Sequence, residues 1–164
     1  MSRTKTAYHE AGHAVAFHRL FPEGRLGLDV TIVPNPDRGT TGSHSAEELF
    51  DCGDEEIEAE AVYSCAGYAA LIAAGFPAKV AKEGCESDFE CAEQCSSRPL
   101  DHIQQEAVAL LSRPENRRAV ECVVTELLRR ETLDWDLVVN LLNLVDGKTT
   151  EAEYQQYLTL RDDG

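Results

Sequence analysis

No stretch of this chain approaches the ~18 to 20 consecutive apolar residues that a bilayer-spanning helix requires, so a membrane role is not expected. The opening residues, Met1-Ser2-Arg3-Thr4-Lys5-Thr6, carry a little positive charge but lead into no apolar run, because His9 and Glu10 intervene. A secretory signal is therefore not read there, and a cytoplasmic protein is expected. Basic residues are scarce: 15 Lys and Arg face 30 Asp and Glu, for a formal net charge of −15. Phosphate binding needs a basic surface, so nucleic acid is excluded as a partner. The acidity reads as a well-solvated surface and identifies no substrate. Tight Cys-x-x-Cys pairs are also missing from the 6 cysteines, which argues against a closed Cys-only zinc site. Without an export signal, free thiols are expected rather than a disulfide framework. Reversible disulfide chemistry among Cys85, Cys91 and Cys95 is a side reading. Internal repeats, low-complexity tracts and Pro/Ser-rich linkers are absent. The 164 residues, 43% hydrophobic, suffice for one domain with a real core, spanning 1–164.

What the chain does contain is His9-Glu10-Ala11-Gly12-His13. This His-Glu-x-x-His pattern is the signature of a zinc-metallopeptidase helix. Residues four apart lie on one helical face, so His9 and His13 can present two imidazoles to one metal ion. Glu10 sits about 100° further round, where it reaches a metal-bound water without becoming a ligand. The flanks favour a helix: Thr4 to Leu20 holds no Pro, and Pro22 and Gly24 end the run. Gly12 costs about 1 kcal/mol against Ala inside a helix. Its use would be to let another backbone approach beside the metal.

Further along, Asp29-Val30-Thr31-Ile32-Val33 reads as a strand stopped by Pro34 and Pro36. After the loop Asn35–Gly39, Thr40 to His44 reads as its polar partner. Ser45-Ala46-Glu47-Glu48 resembles a capping box before a helical turn. Asp54 to Ala74 reads as one long helix, with a core face of Ile57, Ala61, Val62, Cys65, Ala69 and Ile72. Ser87-Asp88-Phe89-Glu90 suggests a capping box opening a helix to Cys95. Helices follow over Pro99–Leu111, from Pro114 to Arg130, over Asp134–Leu144 and from Thr150 to Leu160. The fold class predicted is mainly α, with one small β-sheet near the active-site helix.

A catalytic zinc takes three protein ligands and leaves a position for water. Two come from the helix, and the third must come from elsewhere. His18 is five residues after His13 and poorly aligned with the metal face. His44 lies on the predicted edge strand, where it could face substrate. His102 is mid-helix and reads as a surface histidine. Asp88 opens a helix in the turn Gly84-Cys85-Glu86-Ser87-Asp88. A carboxylate there also suits the helix dipole, so the residue types leave the third ligand open.

Several segments together resemble the peptidase domain of FtsH-type ATP-dependent zinc metalloproteases. Thr6-Ala7-Tyr8-His9-Glu10-Ala11-Gly12-His13-Ala14-Val15 is similar to that family's active-site helix. Val30-Thr31-Ile32-Val33-Pro34 resembles its small-sheet segment. Gly84-Cys85-Glu86-Ser87-Asp88-Phe89-Glu90-Cys91-Ala92 resembles its Gly-Ala-Ser-Asn-Asp-Leu-x-x-Ala stretch, and Glu131-Thr132-Leu133 its C-terminal region. The resemblance covers roughly 4–144 and implies that Asp88 is the third zinc ligand. The chain departs from the family in two ways. No ATPase module or membrane anchor is read in it. The family's Gly-Gly-Arg-x-Ala-Glu stretch is Ala66-Gly67-Tyr68-Ala69-Ala70-Leu71, so the roles of that Arg and Glu do not carry over.

The function expected is a zinc-dependent metalloendopeptidase acting on unfolded or flexible polypeptides. Zn2+ would be held by His9, His13 and Asp88, with Glu10 as general base. An edge strand over Thr41–Ser45 would receive substrate by β-augmentation. A separate ATPase is a candidate partner, and homo-oligomers are open. The alternative is a degenerate relative that keeps zinc as a peptide-binding or regulatory module.

Overall fold

In the computed structural model, residues 2–21, 27–34, 43–46 and 53–162 are described. The mainly helical class with one small sheet is borne out. Helix α1 spans Arg3–Leu20. Strands β1 (Gly27–Thr31) and β2 (Ser43–Ala46) follow. Then come α2 (Asp54–Ser64), α3 (Ala66–Ala73), the short α4 (Ala78–Lys82), α5 (Glu86–Cys95), α6 (Leu100–Leu111) and α7 (Pro114–Arg130). Strand β3 (Thr132–Leu133) and helices α8 (Trp135–Val145) and α9 (Glu151–Asp162) complete the order. No helix among the described residues is long and apolar enough to cross a membrane.

Helix α1 is the centre of the fold, packed on α3 and α7 and touching the sheet. Ser2 caps it by accepting from the Lys5 amide at 3.3 Å. Most of its residues from Lys5 to Phe17 are buried. Five of these are polar or charged: Lys5, Thr6, His9, Glu10 and His13. Burying such groups is costly unless partners hold them. Its C-terminal end is anchored by Arg19. That guanidinium makes paired contacts of 2.6 Å to both Asp146 oxygens and donates to Asn116 Oδ1 at 2.9 Å.

The sheet has the order β2-β1-β3, both pairings antiparallel. Val30 stands opposite His44 on one side and Leu133 on the other. β3 is an addition to the predicted pair. The observed β2 shifts the predicted partner strand: Ser45 and Ala46 are in the ladder, not in a helix cap. The remainder of that capping box, Glu47 and Glu48, and the loop and strand residues 35–42 lie outside the described residues.

The predicted helix over 54–74 is two helices meeting at Cys65, at φ −85° and ψ 0°. Just before the break, the Ser64 hydroxyl donates to the Glu60 carbonyl at 2.9 Å. Such back-bonding bends helices. The change of phase accounts for the core face beyond the break, in α3. Ala61, Val62, Cys65 and Ala69 are buried as expected, but Leu71 takes the place of Ile72, and Ile57 is exposed. The capping box expected at Ser87 is also corrected. α5 starts at Glu86, its cap position is Cys85, and no side chain caps it. The last helix does open as read, because Thr150 and Glu153 bond each other's backbone amides at 2.8 and 3.3 Å.

Candidate metal centre

His9 and His13 project from one face of α1, their rings edge to face with centroids 4.8 Å apart. Asp88, in the first turn of α5, meets them both. Its Oδ2 lies 3.3 Å from His9 Nε2 and 3.4 Å from His13 Nε2. Yet Oδ2 is a buried oxygen with no hydrogen bond of acceptable geometry. A charge-assisted bond would be about 2.7–2.9 Å long. Ligand bonds of about 2.0–2.2 Å meeting at a tetrahedral angle set their atoms about 3.4 Å apart. Asp88 Oδ2 therefore stands from each Nε2 at ligand spacing rather than hydrogen-bond spacing, and the orphaned oxygen fits a metal ion beside it.

The far side of each ring assigns its tautomer. His13 Nδ1 is 3.2 Å from the Tyr63 carbonyl oxygen. That oxygen can only accept, so Nδ1 carries the proton and Nε2 is left as a donor to metal. His9 Nδ1 is 3.7 Å from Cys85 Sγ. The Cys85 thiol donates to the Ala81 carbonyl at 3.2 Å, which turns sulfur lone pairs toward the imidazole N–H. Cys85 is thus an outer partner of His9. Among the described residues, His9, Cys85 and Asp88 also offer donor atoms all within 4.8 Å of one another, a group that could hold a metal ion. The shared contact of both Nε2 atoms with one Asp88 oxygen favours His9, His13 and Asp88 as the inner set, with Cys85 behind His9.

Two glycines make this packing fit. A Cβ on Gly12 would lie 2.5 Å from the Ala66 carbonyl oxygen, so the backbone approach expected beside the motif is present. A Cβ on Gly67 would lie 2.4 Å from His9 Cε1 and Nδ1 and 2.8 Å from His13 Nε2. Both imidazoles therefore rest on the bare backbone of α3. The next residue, Tyr68, packs edge to face on Phe89 at 5.6 Å. That contact ties α3 to α5 one residue beyond Asp88.

In the metal-free protein burial alone would raise the Asp88 pKa, but the imidazoles of His13 and His9, where they turn an N–H toward it, more than offset this and hold the carboxyl well below its ordinary range. Glu10 behaves oppositely. It is 5% exposed, and burial pushes its pKa from 4.5 up to about 7; nearby His9 lowers it and Asp88 adds to the rise. Neighbouring carboxyls with pKa values driven apart are the pattern of an acid–base site. Burial pushes the Cys85 thiol up to about 12, so without metal it is a thiol and not a thiolate.

His18 and His102 are not brought to this site. His18 faces the Trp135 ring at 6.4 Å. His102 is exposed on α6. His44 is on β2, and its side chain lies outside the described residues. Cys65, Cys85, Cys91, Cys95 and Cys122 are free thiols, as expected, while Cys52 lies outside the described residues. Sequence reasoning did not anticipate Cys85 behind His9, Tyr63 behind His13 or Gly67 beneath both rings. Only Cys85 left a signal, as a donor-bearing residue in the turn before Asp88. No known family model matches this chain, and no curated protein matches it either.

Proposed function

We propose that this chain is a zinc-dependent metalloendopeptidase of the FtsH-like kind, hydrolysing peptide bonds in unfolded or flexible polypeptides. The observation that carries the reading is Asp88 Oδ2, buried without a hydrogen bond and near-equidistant from the two Nε2 atoms of a His-Glu-x-x-His helix. Three neutral-or-anionic N/O donors suit zinc, and three leave a coordination position open. When bound, zinc would polarise the scissile carbonyl and make a bound water acidic near neutral pH. His9, His13 and Asp88 hold the ion, and Tyr63 and Cys85 fix the ring orientations. Glu10 takes a proton from the attacking water and returns it to the leaving amine. Burial favours the protonated form of Glu10 and the charge of the ion would favour the carboxylate, so the residue is suited to take up and return a proton. β2 is at the edge of the sheet, where an extended substrate would pair with its backbone. A separate ATPase as the supplier of unfolded chains, and a cytoplasmic setting, belong to the same proposal.

A binding module would need the metal but not the base, and the buried, tuned Glu10 favours the enzyme. The test uses purified protein loaded with zinc, an unfolded protein substrate and a chelator control. Glu10→Gln is expected to keep zinc and lose cleavage by at least about 100-fold. Chelator-sensitive cleavage at the wild-type rate in that variant would overturn the mechanism. Zinc binding with no cleavage by the wild type would leave the peptide-binding reading in its place.

A further inference from the structure

Lys5 is one helical turn before His9 and is only 4% exposed. A buried ammonium is costly unless it is well partnered. Its Nζ donates to the Glu83 backbone carbonyl at 2.8 Å and lies 3.6 Å from Glu83 Oε2. The Glu83 side chain is 61% exposed, so the longer ion pair is screened by water, and the directed bond to the carbonyl is the stronger tether. Glu83 begins the turn that leads through Cys85 into α5 and Asp88. α1 therefore meets this segment three times along one face: Lys5 at Glu83, His9 at Cys85, and His9 with His13 at Asp88. The start of α5 has no side-chain cap of its own. The body of α5 packs on α2 and α6, and Phe89 meets Tyr68 of α3; the turn that leads into it is tied to α1 through Lys5 and His9.

We propose that Lys5 is a positioning residue for the metal centre. Its bond to the Glu83 carbonyl sets the distance between α1 and the 83–85 turn, and so places Asp88 Oδ2 on both imidazoles. The proposal rests on the metal reading above. Ligand constellations must be held within about 0.5 Å, and outer contacts of this kind are worth about 10- to 100-fold in metal affinity.

The experiment titrates zinc into the full chain against a chromophoric chelator and follows thermal unfolding of the metal-free protein. Lys5→Met keeps the length and apolar bulk of the side chain but removes the donor. It is expected to bind zinc about 10- to 100-fold more weakly, and its cobalt-loaded form to show altered visible ligand-field bands as Asp88 moves. Glu83→Gln keeps the carbonyl and is expected to bind zinc within about twofold of wild type. Wild-type zinc affinity and cobalt spectrum in a folded Lys5→Met would overturn the proposal, even if its unfolding temperature fell. Should Lys5→Met not fold, Lys5→Arg keeps the charge but forces the turn outward, and wild-type affinity there overturns it equally. A wild-type chain that binds no divalent cation would instead overturn the metal reading itself.

Discussion

Adding one methyl group at Gly67 tests the architecture of the centre directly. The new Cβ would stand 2.4 Å from His9 Cε1 and Nδ1 and 2.8 Å from His13 Nε2. Ordinary carbon contacts are about 3.5–4.0 Å, so the rings or α3 must move by about 1 Å. The rings have little room to yield, because His13 Nδ1 is held by the Tyr63 carbonyl at 3.2 Å and His9 Nδ1 faces Cys85 Sγ at 3.7 Å. Overpacking of this kind destabilises a fold by about 1–3 kcal/mol. A shift of about 1 Å also exceeds the ~0.5 Å tolerance of a ligand set. Gly67→Ala is therefore expected to weaken metal binding by about 100-fold, or about 2.8 kcal/mol. Gly12→Ala is the comparison. Its Cβ would strike the Ala66 carbonyl and Ala70 Cβ at 2.5 and 2.6 Å, so it destabilises the same helix pair without its methyl pressing on a ring. Competition titration with zinc, alongside thermal unfolding, reads both effects. Zinc affinity in Gly67→Ala equal to wild type would refute the reasoning, because the imidazoles would then not depend on a bare backbone beneath them.

Two further outcomes follow from the charges. Glu10 is raised from 4.5 to about 7 in the folded, metal-free protein, so the folded state binds the proton more tightly than the unfolded one. Its contribution is therefore fully present below pH 4.5 and lost as pH rises through about 7, up to about 3 kcal/mol in all. In urea unfolding from pH 5 to 8, metal-free wild type should lose stability relative to Glu10→Gln; parallel profiles would show that Glu10 titrates normally. At the other end of α1, Arg19→Met leaves Asp146 without its paired 2.6 Å contacts. A loss of about 1.5–3 kcal/mol is expected in chemical denaturation, with zinc affinity retained. A change under 0.5 kcal/mol would show the pair to be energetically idle.

Much of the helical framework was legible in local pattern. Capping residues, prolines and three-to-four spacing located α1, α6, α7, α8 and α9 to within a residue or two. The His9–His13 half-site follows from four-residue spacing alone. Local pattern misled where a contact interrupted it. Ser64 bends the chain before Cys65, so Ile72 falls off the core face that an unbroken helix would give it, while Ile57 is left exposed in the first turn of α2. Ser87 has the composition of a cap, yet the chain enters α5 one residue earlier.

By itself the sequence determined which residues could form a two-histidine face with a carboxylate beside it, because helical geometry is set by neighbours three and four apart. Only the tertiary structure decided which distant residues complete the site. Asp88 is separated from His9 by 79 positions, Tyr63 from His13 by 50 and Glu83 from Lys5 by 78; their meeting depends on how α1 packs on α3 and how the 83–85 turn crosses it. The same packing buries Glu10 and raises its pKa, since desolvation belongs to the folded surroundings and not to the residue. Thus the five-residue motif supplied the two imidazoles, and the fold supplied the carboxylate that meets them, their tautomers and the raised pKa of Glu10.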